Sequence, residues 1–346
     1  MLSLNHVEFF AEDADATGSA LAERYRLSVL GRRDDGSSRS VALGIGKVTL
    51  VVTDGRPGSR AAEYVRAHGA GVADVALATD DAAAAYETAI SAGADGVSPP
   101  AGELDGRSAA ITAFGDVRHT FVQAPAGVSG RWLPGFGALP EPGPSPVALD
   151  RIDHLAVCLP IGELATVVDR YERTLGFSTV FTERIVVGAQ AMASQVVQSP
   201  GGDVTFTLIE PDAQAAPGQI DRFLKDHGGP GVQHVALSTA DIVRTTGDLV
   251  GSGVEFLSTP ASYYRHLTAR LQLAAHTTAE LQRLNILADE DHDGQLFQIF
   301  TRSTHPRGTF FFELIERLGA RTFGSGNIRA LYEAVEADGE TEKPVR

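Results

Sequence analysis

Two histidines and one glutamate, successive members roughly 80 residues apart, have the residue types of a reaction centre: His154 in "RIDHLAV", His234 in "GVQHVAL" and Glu313 in "TFFFELIER". The run around Glu313 reads as a buried strand, and a lone buried carboxylate is costly enough to call for a cation. Two neutral imidazoles and one carboxylate on rigid strands make a facial triad, which leaves three adjacent positions of an octahedral Fe(II) open for substrate and O2. Each member also has an ordinary reading. A histidine at a strand start is commonly a hydrogen-bonded core or surface residue, and Glu313 is also compatible with an edge-strand charge facing solvent. Placement of all three in matching strands of an internal repeat favours the metal.

That repeat supplies the elements that must position them. The stretch 4–31 parallels 152–179, each a strand with a histidine near its start, a turn and a helix. A stronger echo joins "HGAGVADVALATDD" (68–81) and its continuation to residue 100 with "HGGPGVQHVALSTAD" (227–241) and its continuation to residue 260. A third pairs "FGDVRHTFVQ" (114–123) with "DGQLFQIFTR" (293–302). The chain is thus read as α+β, two copies of a unit of strand, helix and further strands used twice per half. Within the echoes His6 answers to His154, and Asp74 answers to His234, so the metal is expected in the second half alone. Residues 124–150 are rich in Pro and Gly and read as a linker, with Trp132 and Phe136 docked on a surface. The expected division is 1–123, a structural and oligomerisation domain without metal, 124–150 as linker, and 151–340 as the catalytic domain with a closing C-terminal helix.

Composition narrows the class. The 346 residues are 43% hydrophobic and 21% charged, as in a soluble globular chain, and a net charge of −15 without basic clusters argues against a nucleic-acid surface. Cys158 is the single cysteine, which excludes internal disulfides and thiolate clusters. The opening "MLSLNHVEFFAEDADA" lacks a basic segment followed by an apolar core, and no run approaches the roughly 18 apolar residues of a membrane span. A cytoplasmic protein is expected.

At these residues the chain resembles a known family. "RIDHLAV", "GVQHVALST", "FLSTPASYY", "NILADEDHDGQLFQIFT" and "FFFELIERLGARTFGSGNIRALYEAVE" are similar to the 4-hydroxyphenylpyruvate dioxygenases, over essentially the whole chain and most densely from 151 to 336. The resemblance implies the vicinal-oxygen-chelate fold, two tandem domains of paired βαβββ modules forming open barrels. It implies Fe(II) held by His154, His234 and Glu313, with 4-hydroxyphenylpyruvate and O2 as substrates. It carries Ser194, Gln219, Gln233 and Gln298 to polar positions that orient substrate, Phe300 and Phe311 to aromatic walls, and Asn327 to the substrate pocket. A homo-oligomer, dimer or tetramer, is implied as well.

Two departures from the usual pattern concern product. After "FGSGN" stands Ile328 where the dioxygenases typically have Phe, and "TLIEP" (207–211) stands where they commonly read Pro-Leu-Asn-Glu-Pro. Thr207 and Ile209 alternate along a strand and so share one face, which would reshape the pocket wall. These departures resemble the branch that hydroxylates the benzylic carbon, giving 4-hydroxymandelate, rather than the ring, giving homogentisate.

Other motifs are set aside. "DEDHDG" (289–294) opens like a calcium loop, but the twelfth position is Phe300 instead of a bidentate Glu. "GSGNIR" lacks the third glycine of a dinucleotide loop, and Asn327 reads as the N-cap of a helix over 328–337. His68, His119, His227, His266, His276, His292 and His305 are expected to be structural.

Overall fold

The computed structural model describes residues 2–102, 106–128, 130–324, 326, 327 and 329. The first half contains the strands β1 (Ser3–Phe10), β2 (Ser28–Asp34), β3 (Ser38–Ile45), β4 (Val48–Gly55), β5 (Gly71–Ala78), β6 (Gly96–Ala101), β7 (Arg107–Phe114) and β8 (Val117–Gln123). Its helices are α1 (Ala14–Tyr25), α2 (Arg60–His68) and α3 (Ala82–Ser91). Short strands β9 (Trp132–Leu133) and β10 (Gly137–Ala138) follow. The second half has β11 (Leu149–Cys158), β12 (Ser178–Val187), β13 (Gln190–Gln198), β14 (Thr205–Pro211), β15 (Gly231–Thr239), β16 (Leu287–Glu290), β17 (Gln295–Phe300) and β18 (Phe311–Leu318). Its helices are α4 (Leu164–Leu175), α5 (Gln219–His227), α6 (Ile242–Gly251), α7 (Ala261–Arg270) and α8 (Thr278–Leu284).

The two sheets repeat one topology, β2-β3-β4-β1-β5-β8-β7-β6 and β12-β13-β14-β11-β15-β18-β17-β16. Each is two βαβββ modules joined through the antiparallel pair β1/β5 or β11/β15. Local chemistry matches: α4 buries Leu164, Val167, Val168 and Tyr171 at helical spacing and ends at Gly176 in the left-handed region. Ser194 on β13 and Gln298 on β17 line one cavity although four strands separate theirs, so the second sheet curls round it.

The topology corrects one sequence echo. β8 pairs with β5 as β18 pairs with β15, so the counterpart of 117–123 is the strand at 311–318. The stretch 293–302 answers instead to β7. Alternating strands resemble one another too closely to tell apart, and α7 and α8, inserted before β16, lengthen the second half there.

The segment between the sheets is docked. Trp132 packs on Ala76 and Val122, while Leu133, Phe136 and Leu139 cover Leu30, Ala42 and Val51. The halves also share a core: Phe9 meets Phe310 edge-on at 5.0 Å, and Tyr25 lies 4.9 Å from Phe312. His119 bridges to the Tyr171 hydroxyl at 2.8 Å, and the His68 and His227 rings stack at 4.5 Å. Among the described residues no helix is long and apolar enough to cross a membrane.

Burial, the largest influence on each, lowers His6 and His227 from 6.5 to about 4. The unfolded chain therefore takes up protons that the folded chain refuses. Stability from these residues is complete above about pH 6.5 and drains as pH falls toward 4, at up to about 1.4 kcal/mol per residue per pH unit. Urea unfolding should show a midpoint that falls between pH 7 and 5, with a pH slope reduced by about one proton in His227→Gln.

Candidate metal centre

β11, β15 and β18 are consecutive strands, and their register brings the triad onto one face. His154 and Glu313 both pair with Ala236, one from each side, and His234 lies two residues along β15, paired with Ala156 and Phe311. Residues two apart on a strand share a face. The small side chains of Ala156 and Ala236 leave the space between the three open. Glu313 is thus on an interior strand and only 1% exposed, which removes the edge-strand reading. The same strand buries a second carboxylate, Glu316, which accepts from the Ile242 amide at 2.8 Å and lies 2.9 Å from His276 Nε2.

Glu313 Oε2 stands 3.4 Å from His154 Nε2 and 3.2 Å from His234 Nε2. Donors about 2.1 Å from one metal and at right angles to each other are about 3.0 Å apart, so this set fits an octahedral divalent cation with one face open. Of the described residues, one further cluster has metal-type donors, the partly exposed Asp291, His292 and Asp293. There Asp291 accepts from the amides of Asp293, Gly294, Arg321 and Thr322, which makes the stretch a turn holding 321–322.

Neighbouring polar groups orient the triad. His154 Nδ1 lies 2.9 Å from Asp153 Oδ1, and Arg317 grips Asp153 with two hydrogen bonds of 2.9 Å. This sets the imidazole tautomer and turns Nε2 inward. Gln233 Oε1 is 3.3 Å from His234 Nδ1, and the ring of Phe311 stacks on His234 at 4.9 Å. Burial disfavours charge on His154, yet Glu313 and Asp153 hold it up to about 9. Burial lowers His234, and although burial alone would raise Glu313, the two histidines bring it down to about 2. The metal-free centre therefore keeps an ionised carboxylate and a proton on His154, which a cation would displace.

Above the triad lies a cavity. Ser194, Thr207, Ile209, Gln219, Gln233, Gln298 and Phe300 line it. Among the described residues Thr207 Oγ1, which is buried, has no hydrogen-bond partner. Phe311 acts from beneath His234, outside the lining. Asn327 bonds to Gln298 and is fully buried. Ile328 and nearly all of the helix read at 328–337 lie outside the described residues. Sequence reasoning missed Phe181 and Phe323, which line the cavity, and the Asp153–Arg317 pair. Phe323 meets His154 edge-on at 5.0 Å, next to the quoted glycine motif, so proximity to "GSGN" was the available signal.

The first half shows the same positions differently filled. His6, Asp74 and Thr120 occupy the places of His154, His234 and Glu313. Arg118, in the place of Phe311, bonds to Asp74 at 2.5 Å and approaches Glu8 at 3.8 Å. Thr120 also donates to Asp74, so a guanidinium and a hydroxyl serve the acids there.

Comparison with known proteins is consistent across the chain. Residues 2–126 match the hydroxyphenylpyruvate dioxygenase N-terminal family, and residues 151–299 match the glyoxalase/bleomycin resistance protein/dioxygenase superfamily. The 4-hydroxyphenylpyruvate dioxygenase of Yarrowia lipolytica is 31% identical over 361 residues, covering 96% of this chain and 91% of that one. That of Danio rerio is 32% identical, covering 97% and 90%. A solved triple mutant of 4-hydroxymandelate synthase from Streptomyces coelicolor superposes with a TM-score of 0.87 at 39% identity, over 97% of this chain and 98% of that one.

Replacing Glu313 by Gln should weaken binding of a divalent cation by about 100-fold or more, since even outer residues of such sites are worth 10–100-fold. Calorimetry on the metal-stripped protein would measure it. In wild type, uptake at pH 7 should release a proton from His154, seen as a buffer-dependent heat, and affinity should weaken as pH falls below about 9.

Proposed function

This chain belongs to the 4-hydroxyphenylpyruvate dioxygenase family, and on that premise we propose that it is an Fe(II)-dependent 4-hydroxymandelate synthase. In this reading 4-hydroxyphenylpyruvate and O2 give 4-hydroxymandelate and CO2, with atoms balanced and no separate co-substrate. His154, His234 and Glu313 would hold the iron, whose chemistry when bound is chelation of the 2-oxo acid and activation of O2.

The observation that carries the choice of product is the wall at Thr207 and Ile209. Thr207 shares a cross-sheet row with Ala156 and His234, and Ile209 follows on the same face, paired with Ser194. The Thr207 hydroxyl, without a partner among the described residues, offers a hydrogen bond to a polar atom of the substrate beside the triad. Ile209 is apolar where the dioxygenases commonly carry an amide. Phe323, Phe300 and Phe181 give an aromatic ring apolar surfaces and keep water from the reacting carbon. Such a wall fits a ring turned aside, with its benzylic CH2 toward the open face of the triad. The 39% identity to the Streptomyces coelicolor protein supports the same choice. A second reading, homogentisate formation, is favoured by the names of the Yarrowia lipolytica and Danio rerio relatives.

Incubation with 4-hydroxyphenylpyruvate, Fe(II) and ascorbate should yield 4-hydroxymandelate as the main product by mass spectrometry and NMR. Homogentisate as the main product would overturn the assignment. Ile328→Phe should shift turnover toward ring hydroxylation or uncoupled O2 consumption, whereas unchanged products at an unchanged rate would remove Ile328 from product control.

A further inference from the structure

We infer that Tyr263 and Arg270 are positioning residues for Glu313, acting on it through Asn327 and Gln298 along one directed chain of hydrogen bonds. The inference rests on the reading of the triad as a metal centre.

The direction follows from the groups themselves. Ionised Glu313 only accepts, so Gln298 must present its amide nitrogen, and Nε2 stands 2.7 Å from Oε1. The Gln298 oxygen must then accept, and Asn327 Nδ2 is 3.0 Å away. That leaves Asn327 Oδ1 as an acceptor, 3.0 Å from the Tyr263 hydroxyl. Tyr263 has a single proton and two candidate acceptors, because the Ala288 carbonyl also lies at 2.8 Å. Arg270 Nη2 donates to that carbonyl at 2.7 Å, while the Ala288 amide donates to Tyr263 at 2.8 Å. With Ala288 satisfied in this way, the tyrosine proton is directed to Asn327.

The result selects one carboxylate oxygen. Oε1 of Glu313 is held by Gln298, and Oε2 remains as the oxygen facing both imidazoles. Gln298 and Asn327 thus spend their amides on each other and on the ligand carboxylate.

Two glycines show that the chain is built for close approach. A Cβ on Gly324, whose φ is +66°, would come within 2.7 Å of Gln298 Oε1. A Cβ on Gly326 would meet Arg270 Nη1 at 2.5 Å, and the Gly326 amide donates to Asp289 at 2.9 Å. Both glycines of "FGSGN" therefore allow the backbone to seat Asn327 against the relay. Its outer end is carried by α7, which is inserted in the second half before β16.

The test uses metal-stripped full-length protein titrated with Co(II), read by calorimetry and by the visible d–d absorption of the bound ion. Tyr263→Phe removes the directing proton, and Asn327→Asp removes the donor to Gln298, forcing its amide to turn. Each should weaken Co(II) binding about tenfold or more and shift the d–d bands. Tyr264→Phe, deleting a neighbouring buried hydroxyl that takes no part in the chain, should leave affinity and bands as in wild type. Wild-type affinity and bands in both Tyr263→Phe and Asn327→Asp would overturn the relay while leaving the metal reading intact. A wild-type chain that takes up no Co(II) would overturn that reading and the relay with it.

Discussion

A carboxylate buried on an interior strand must be met by positive charge or hydrogen bonds, and Glu313 sets that demand at the centre of the second sheet. The demand is answered from three sides. His154 and His234 face one oxygen, Gln298 takes the other, and Arg317 stabilises the Asp153 that orients His154. A cation placed at the two imidazoles and Oε2 would complete the arrangement. Without it, the proton on His154 is the nearest substitute.

The first half meets a similar demand without the same donors. Glu8 and Asp74 are buried or nearly so, and Arg118 supplies the charge from within the chain. There Arg118 is tied to Asp74 and Glu8, whereas in the second half the same position holds Phe311, stacked on His234. One scaffold thus carries two solutions, and the difference lies in a few side chains on three adjacent strands.

Rigid strands place the triad, while the segments added to the second half close round it. α7 brings Tyr263 and Arg270, and the glycine-punctuated stretch after β18 brings Phe323 against His154 and Asn327 against Gln298. The walls at Thr207 and Ile209 come from β14 on the far side of His154's strand. A triad held on rigid strands leaves the cavity wall, from β14 on one side and from the stretch after β18 on the other, free to vary without moving the donors.

The repeat in the sequence determined the two-sheet architecture, because duplicated strand and helix patterns must bury the same faces. His154, His234 and Glu313 could be singled out in the sequence, through the contrast of His234 with Asp74 and through a carboxylate in the run "TFFFELIER", and the fold brings the three together. The match of 114–123 with 293–302 failed because alternation marks a strand without naming its neighbour. Tertiary structure alone decided that 117–123 answers to 311–318, that Asp153 meets Arg317 across 164 residues, and that Gln298 and Asn327 are joined to each other and to Glu313. Local pattern records which face a residue takes, whereas a hydrogen-bond partner distant in the chain is chosen only when strands adopt their register.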